Sequence, residues 1–328
     1  MTGDVVKRLA RECGFELAGV AAAEPSADFP RYLDWVQQGY AGEMRYLSDR
    51  RAGVRADPKN LLASAKSIIC VGKLYNTEGP AGPISRYAWG KDYHRVMRDG
   101  LERMVALLGP GEHKICVDTA PLLERSYARQ AGLGWIGKNT CLIHEPLGSW
   151  FFLGEILTSL EIAPDSPPPD RCGTCTRCID ACPTQAIVPK GRGWTLDSRR
   201  CISYFTIELR GPIPEEHRAG VGEHVFGCDI CQDVCPWNSG APLAEEGSFR
   251  ATATSDLGAM ARLSIEEFQE AFADGPVARA KHSGFLRNVA VAMGNSGDER
   301  YRPALEELAR STDELVAEHA RWALTRLR

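Results

Sequence analysis

The stretch CGTCTRCIDACP, Cys172 to Pro183, and its partner CDICQDVCP, Cys228 to Pro236, decide how this chain is read. The first has the spacing C-x2-C-x2-C-x3-C-P of chains that hold paired [4Fe–4S] clusters. The second supplies three further thiols, and Cys201 adds an eighth. Two-residue gaps in a tight loop turn successive sulfurs inward, as a cubane requires. In such runs the fourth cysteine, beside its proline, serves the other cluster. That rule groups Cys172, Cys175, Cys178 and Cys235 on one cubane, and Cys182, Cys201, Cys228 and Cys231 on the other. Zinc ribbons also use C-x2-C pairs, but two runs that each end in C-x3-C-P fit zinc poorly. Disulfides fit less well still. The opening MTGDVVKRLARECGF has no apolar secretory core, so a reducing, cytoplasmic setting is expected. The chemistry read from these residues is electron transfer.

At 328 residues the chain is long enough for two or three domains with a sizeable core. Hydrophobic content of 44% and charged content of 25% are those of an ordinary globular protein. No apolar run is long enough to span a bilayer. A net charge of −4 argues against an overall basic coat, while leaving room for a local basic face. Cys13, Cys70, Cys116 and Cys141 lie outside the cluster set and read as small buried hydrophobes.

The fold class expected is α+β, in three parts: a mixed α/β domain over 1–162, a cluster domain over 163–240 and a helical domain over 241–328. Val5, Val6, Leu9, Ala10 and Cys13 recur at helical spacing. SIICVGKLY, Ser67 to Tyr75, and HKICVDT, His113 to Thr119, are short β-branched runs that read as buried strands. WFFLGEILTSL, Trp150 to Leu160, fits a strand or a helix equally on periodicity. The proline-rich APDSPPPD, Ala163 to Asp170, reads as a linker. After Ser239 the patterns are helical, and the final 50 or so residues fit either paired repeat helices or an ordinary helical cap.

Clusters carry single electrons and leave the organic chemistry to another centre. Gly132-Leu133-Gly134-Trp135-Ile136-Gly137 matches a bare G-x-G-x-x-G but lacks the βαβ context of a dinucleotide site. It implies either a tight turn or close backbone approach to a ligand, with Lys138, Asn139 and Thr140 beside it. Asp118 ends the apolar run Ile115-Cys116-Val117, where desolvation would favour its protonated form. Capping the following turn is its commoner use. His94 reads first as a hydrogen-bonded structural residue, with cobalt or substrate as the alternative. Arg86, Lys91, Arg95, Arg98 and Arg103 surround it, interleaved with Asp92, Asp99 and Glu102. They fit a phosphate-contacting face or a solvated one. From Val277 onward nine Lys and Arg face seven Asp and Glu. Arg279, Lys281, His282, Arg287 and Asn288 gather at the start of one helical unit, a candidate phosphate-contacting edge.

The stretches VDTAPLLER (Val117 to Arg125), AGLGWIGKNT (Ala131 to Thr140) and RYAWGKDYH (Arg86 to His94) resemble the core signatures of the epoxyqueuosine reductases. So do FGCDICQDVCPWN (Phe226 to Asn238) and FLRNVAVAMGN (Phe285 to Asn295). The resemblance runs through nearly the whole chain. It implies a cobalamin enzyme that reduces epoxyqueuosine to queuosine at the wobble position of tRNA anticodons, the last step of making that base. It implies an N-terminal corrin-binding domain, a ferredoxin-like insert with two [4Fe–4S] clusters and a HEAT-like helical domain that grips tRNA. Asp118 takes the position of the proton donor. Lys138, Asn139, Thr140, Ser203 and Tyr204 would join Asp118 around the corrin, Tyr204 and Trp237 alternatively shielding the clusters. Arg279, Lys281, Arg287 and Asn288 would contact the RNA. A flavodoxin or ferredoxin would feed electrons to a monomeric protein.

Two other classes fit parts of the pattern. A dehalogenase-like corrinoid reductase usually carries a twin-arginine export signal, which MTGDVVKRLA lacks. A non-catalytic electron carrier would leave the N-terminal half without a purpose.

Overall fold

The computed structural model describes residues 1–79, 82–245, 247–251 and 256–327. The N-terminal part runs α1 (Gly3–Glu12), β1 (Leu17–Ala22), α2 (Phe29–Gln37), α3 (Arg51–Val54) and β2 (Ser67–Leu74). It continues through α4 (Tyr93–Leu108), β3 (His113–Cys116), α5 (Glu124–Gln130), β4 (Trp135–Ile136), β5 (Leu142–Ile143) and β6 (Phe151–Thr158). Four strands form one antiparallel sheet in the order β1-β2-β6-β3. Every residue of β2 is buried, because the sheet is covered on both faces. Ile69, Val71 and Ile156 pack under α1 and α4 with Val6, Met97 and Leu101. Ile68, Cys70 and Leu157 turn the other way, onto Tyr127 and Ala128 of α5. The period-two alternation of a strand explains that division. WFFLGEILTSL, ambiguous by periodicity, is therefore the strand β6, paired on both edges.

The second part carries α6 (Arg177–Asp180), the hairpin β7 (Ile187–Lys190) and β8 (Gly193–Leu196), α7 (Glu215–Val221) and α8 (Ile230–Asp233). A π-helical turn, Tyr204–Glu208, lies between the hairpin and α7; such turns gather at functional sites. The third part is α9 (Leu257–Ala261), α10 (Ile265–Phe272), α11 (Lys281–Ser296), α12 (Arg302–Leu308) and α13 (Glu314–Leu324). Its apolar core of Phe268, Phe285, Val289, Leu305 and Ala320 also takes in Ile84, Trp89 and Phe226 from the earlier parts. Phe249 packs into the sheet core beside Phe152. Among the described residues no helix is long and apolar enough to cross a membrane.

Candidate functional site

Cys172, Cys175, Cys178 and Cys235 line one cavity, together with Lys138 and Trp237. Burial, followed by the charges of Cys172, Cys235 and Cys175, pushes the Cys178 thiol up to about 11. In the second group burial, with Cys201 and Cys182 adding to it, pushes Cys228 up to about 12. Converging thiolates repel one another, and a cationic metal centre removes that penalty by taking their charge. The donor set therefore fits iron–sulfur clusters. Cys13, Cys70 and Cys116 are buried as expected, but Cys141 is half-exposed and hydrogen-bonds the cluster-group thiol Cys231.

The glycine-rich stretch forms the β4–β5 hairpin. A side chain at Gly134 would strike the Ile143 carbonyl oxygen at 2.2 Å, which accounts for the glycine without a nucleotide. Past the turn, Lys138 Nζ donates to the carbonyls of Gly173 (2.7 Å) and Cys175 (2.9 Å). Asn139 Nδ2 donates to the Cys231 carbonyl at 3.2 Å. These two side chains, expected at the corrin, grip the cysteine loops. Ser203 likewise hydrogen-bonds Cys201, and buried Tyr204 accepts the Glu43 N–H at 2.9 Å. Thr140, half-exposed, accepts from Arg125 through its carbonyl.

Asp118 follows β3 in the left-handed conformation, φ 49°, which a non-glycine residue adopts only when its surroundings hold it there. Its side chain is 43% exposed, and it caps no helix. Its N–H donates to Glu124 Oε1 at 2.6 Å, and its Oδ2 lies 3.2 Å from His94 Nε2 and 3.9 Å from Arg279 Nη1. The other His94 nitrogen, Nδ1, meets Asp92 Oδ1 at 2.7 Å. Asp92 is the N-cap of α4, so the helix start fixes the imidazole. Tyr93 stacks on Phe152 with centroids 4.4 Å apart, anchoring the same turn.

This geometry corrects the expected charge state. Burial pushes the Asp118 carboxyl up, but His94, Arg279 and Tyr93 together outweigh it and hold Asp118 below the usual carboxylate range. Burial pulls His94 down, yet its hydrogen bonds to Asp118 and Asp92 win and raise it. The proton of this pair thus resides on the imidazole.

The four expected RNA-contacting residues divide. Arg279 turns toward Asp118 and Glu208, its Nη2 2.7 Å from Glu208 Oε1 and 3.3 Å from the Tyr46 hydroxyl. Lys281 is exposed. Arg287 and Asn288 are fully buried and are removed from the RNA edge. Arg287 donates to the carbonyls of Phe205, Leu209 and Gly211, and Asn288 to those of Thr206 and Val225. They clamp α11 onto the π-helical turn. Tyr46 and Glu208 carried no signal in the sequence. Glu155 did: it is a lone acid inside the apolar run of β6.

Two family models match the chain. One is described as a 4Fe-4S double cluster binding domain, over residues 171–238. The other is described as Epoxyqueuosine reductase QueG, DUF1730, over residues 55–119. An epoxyqueuosine reductase of Xanthomonas campestris is 42% identical over 97% of this chain and 94% of its own length. One of Pseudomonas aeruginosa is 40% identical over 98% and 93%. A crystal structure of epoxyqueuosine reductase with an epoxyqueuosine-modified tRNA stem loop superposes with a TM-score of 0.89 at 30% identity, covering 98% of this chain and 89% of that one. The order of motifs and the cysteine runs agree with what these comparisons find: the chain belongs to the epoxyqueuosine reductase family of oxidoreductases.

Proposed function

We propose that this chain reduces epoxyqueuosine in the anticodon loop of tRNA, with two [4Fe–4S] clusters relaying electrons to a bound cobalamin and Asp118 delivering the proton. The observation that carries the reading is the His94–Asp118 pair, which opens to solvent as a half-exposed mouth and is held by a strained backbone and an N-cap aspartate. The overall change takes up two electrons and two protons: both C–O bonds of the epoxide break, a C=C bond forms and the oxygen leaves as water. When bound, cobalamin would supply the strongly nucleophilic cobalt centre for that reduction. Half-exposed Thr140, with Arg125 behind it, and Asp118 suit the amide-fringed rim of a corrin. His94, with both nitrogens engaged by aspartates, is not free to ligate cobalt. One of the two protons passes from His94 Nε2 to Asp118 Oδ2 and on to the epoxide oxygen, while Asp92 steadies Nδ1 and water supplies the second proton. Arg279, between Asp118 and Glu208, keeps the mouth from accumulating negative charge.

Residues 1–162, 163–240 and 241–328 then act as corrin-binding, ferredoxin-like and HEAT-like tRNA-gripping domains. Lys281, exposed at the start of α11, offers a cation for a phosphate, and the modified base would enter the mouth unstacked. A flavodoxin or ferredoxin in the cytoplasm would feed the clusters of a monomer. The test is a reduction assay on tRNA bearing the epoxide. Asp118→Asn is expected to keep both cofactors, seen as cluster and corrin absorption bands, and to lose about 10²-fold or more of turnover. Full activity in that variant would remove Asp118 from proton delivery.

A further inference from the structure

Glu155 stands in the middle of β6, fully buried, in register between Cys70 of β2 and Cys116 of β3. Neither of its carboxyl oxygens has a hydrogen-bond donor among the described residues, a costly state for a buried carboxylate. The polar side chain that meets it is a second carboxyl, Glu124, in the first turn of α5. Two acceptors in contact need a proton between them. Burial and the Glu124 charge raise Glu155 well above the usual carboxylic range, so Glu155 holds it. The charged and ionisable groups around the pair are Cys70, Cys116, Asp118 and, beside Glu124, Arg125 and Tyr93. A proton on Glu155 would have Glu124 as its acceptor, and Glu124 Oε1 accepts the Asp118 N–H at 2.6 Å. That N–H belongs to the residue held at φ 49°.

We propose that Glu155 and Glu124 form a latch on the catalytic turn: their shared proton fixes Glu124 against the Asp118 amide, and that grip turns the Asp118 carboxylate toward His94. Both are positioning residues, and their importance for turnover rests on the role of Asp118 given above.

Amide hydrogen exchange at Asp118, in reconstituted protein without substrate, reads the latch directly. Glu155→Leu keeps the bulk and removes the donor. It is expected to speed exchange at Asp118 at least about tenfold while the amides of β2 keep their protection. Glu155→Gln replaces the donor with an amide N–H and is expected to exchange like wild type. Glu124→Ala, at a half-buried position, is expected to match Glu155→Leu and serves where the leucine variant does not fold. Unchanged exchange in Glu124→Ala, or exchange in Glu155→Gln as fast as in Glu155→Leu, overturns the latch. In turnover Glu155→Leu lowers kcat at constant KM; a rise in KM alone would equally overturn it. Because exchange is read without tRNA, failure of the Asp118→Asn assay sinks the proposed function and leaves the latch standing.

Discussion

Arg279 and Arg287 lie eight residues apart in sequence and carry the same side chain, yet they meet one π-helical turn in opposite ways. Arg279 is 38% exposed, faces the carboxylates Asp118 and Glu208, and stands over the Tyr46 ring. Arg287 is fully buried and meets carbonyl oxygens and the Asn288 amide, with no carboxylate among its hydrogen-bond partners. Burial pulls Arg287 down to about 10, so it stays charged at neutral pH. A guanidinium has five fixed donors, enough to hold several segments at once. At the mouth the same group tunes charge in water-accessible space, where screening keeps its contribution to stability small. Position, rather than residue type, separates the half-exposed arginine that faces carboxylates from the buried one that holds carbonyls.

The contrast can be broken by substitution. Arg287→Ala should be the most damaging to folding, costing about 3–5 kcal/mol, because it strands buried carbonyls of the π-helical turn and of the segment after it. Arg287→Lys should rescue little, since an ammonium lacks the planar fork. Thermal unfolding of both variants checks this; a mild loss for alanine would erase the distinction drawn here.

His319 belongs to the same interior region and should give the next largest effect. Its Nε2 accepts the Ile213 N–H at 3.1 Å, which requires the neutral ring, and burial lowers it to about 4. Between the usual histidine range and pH about 4 the unfolded chain therefore binds the proton that the folded chain refuses. Stability should fall with pH across that window by on the order of 3 kcal/mol. His319→Gln should flatten that slope in denaturation curves measured from neutral to acid pH.

At the mouth the effects should be kinetic. Arg279→Gln is expected to cut turnover about tenfold while changing stability by less than about 1 kcal/mol. A fall in melting temperature comparable to that of Arg287→Ala would place both arginines in one class. The smallest change concerns pH. Turnover should decline as pH rises through the elevated His94 value, since the imidazole then loses the proton it passes on. Asp92→Asn removes one of the two carboxylates holding that proton and should move the alkaline limb to lower pH. A limb that stays in place would exclude His94 as its source.

How much of this was legible from residues alone follows from range. The cysteine runs, the first helix and the strand runs over 67–75 and 113–119 are local patterns; the structure has strands over 67–74 and 113–116, the second ending before Asp118 turns left-handed. The glycine stretch was readable as a turn, but its partner was not. Lys138 and Asn139 find their acceptors some 35 to 92 positions away, at Cys175, Gly173 and Cys231. Asp118 was readable as special but not as a carboxylate, because its charge is set by His94, 24 positions upstream, and by Arg279. Arg287 and Asn288 misled for a physical reason: polar residues on a helix read as a surface until the carbonyls they must satisfy are known. Glu155 was visible throughout as an acid in an apolar strand, a pattern that burial makes meaningful only with a partner.

The hairpin's hold on the cysteine loops has a practical consequence for anyone borrowing this wiring. Cutting out residues 171–238 as a stand-alone redox cassette would strip the Gly173 and Cys175 carbonyls of the Lys138 ammonium and bare Trp237, which packs edge-on against Trp135 at 5.1 Å. A transplant into another scaffold should therefore bring the 134–143 loop along as its socket.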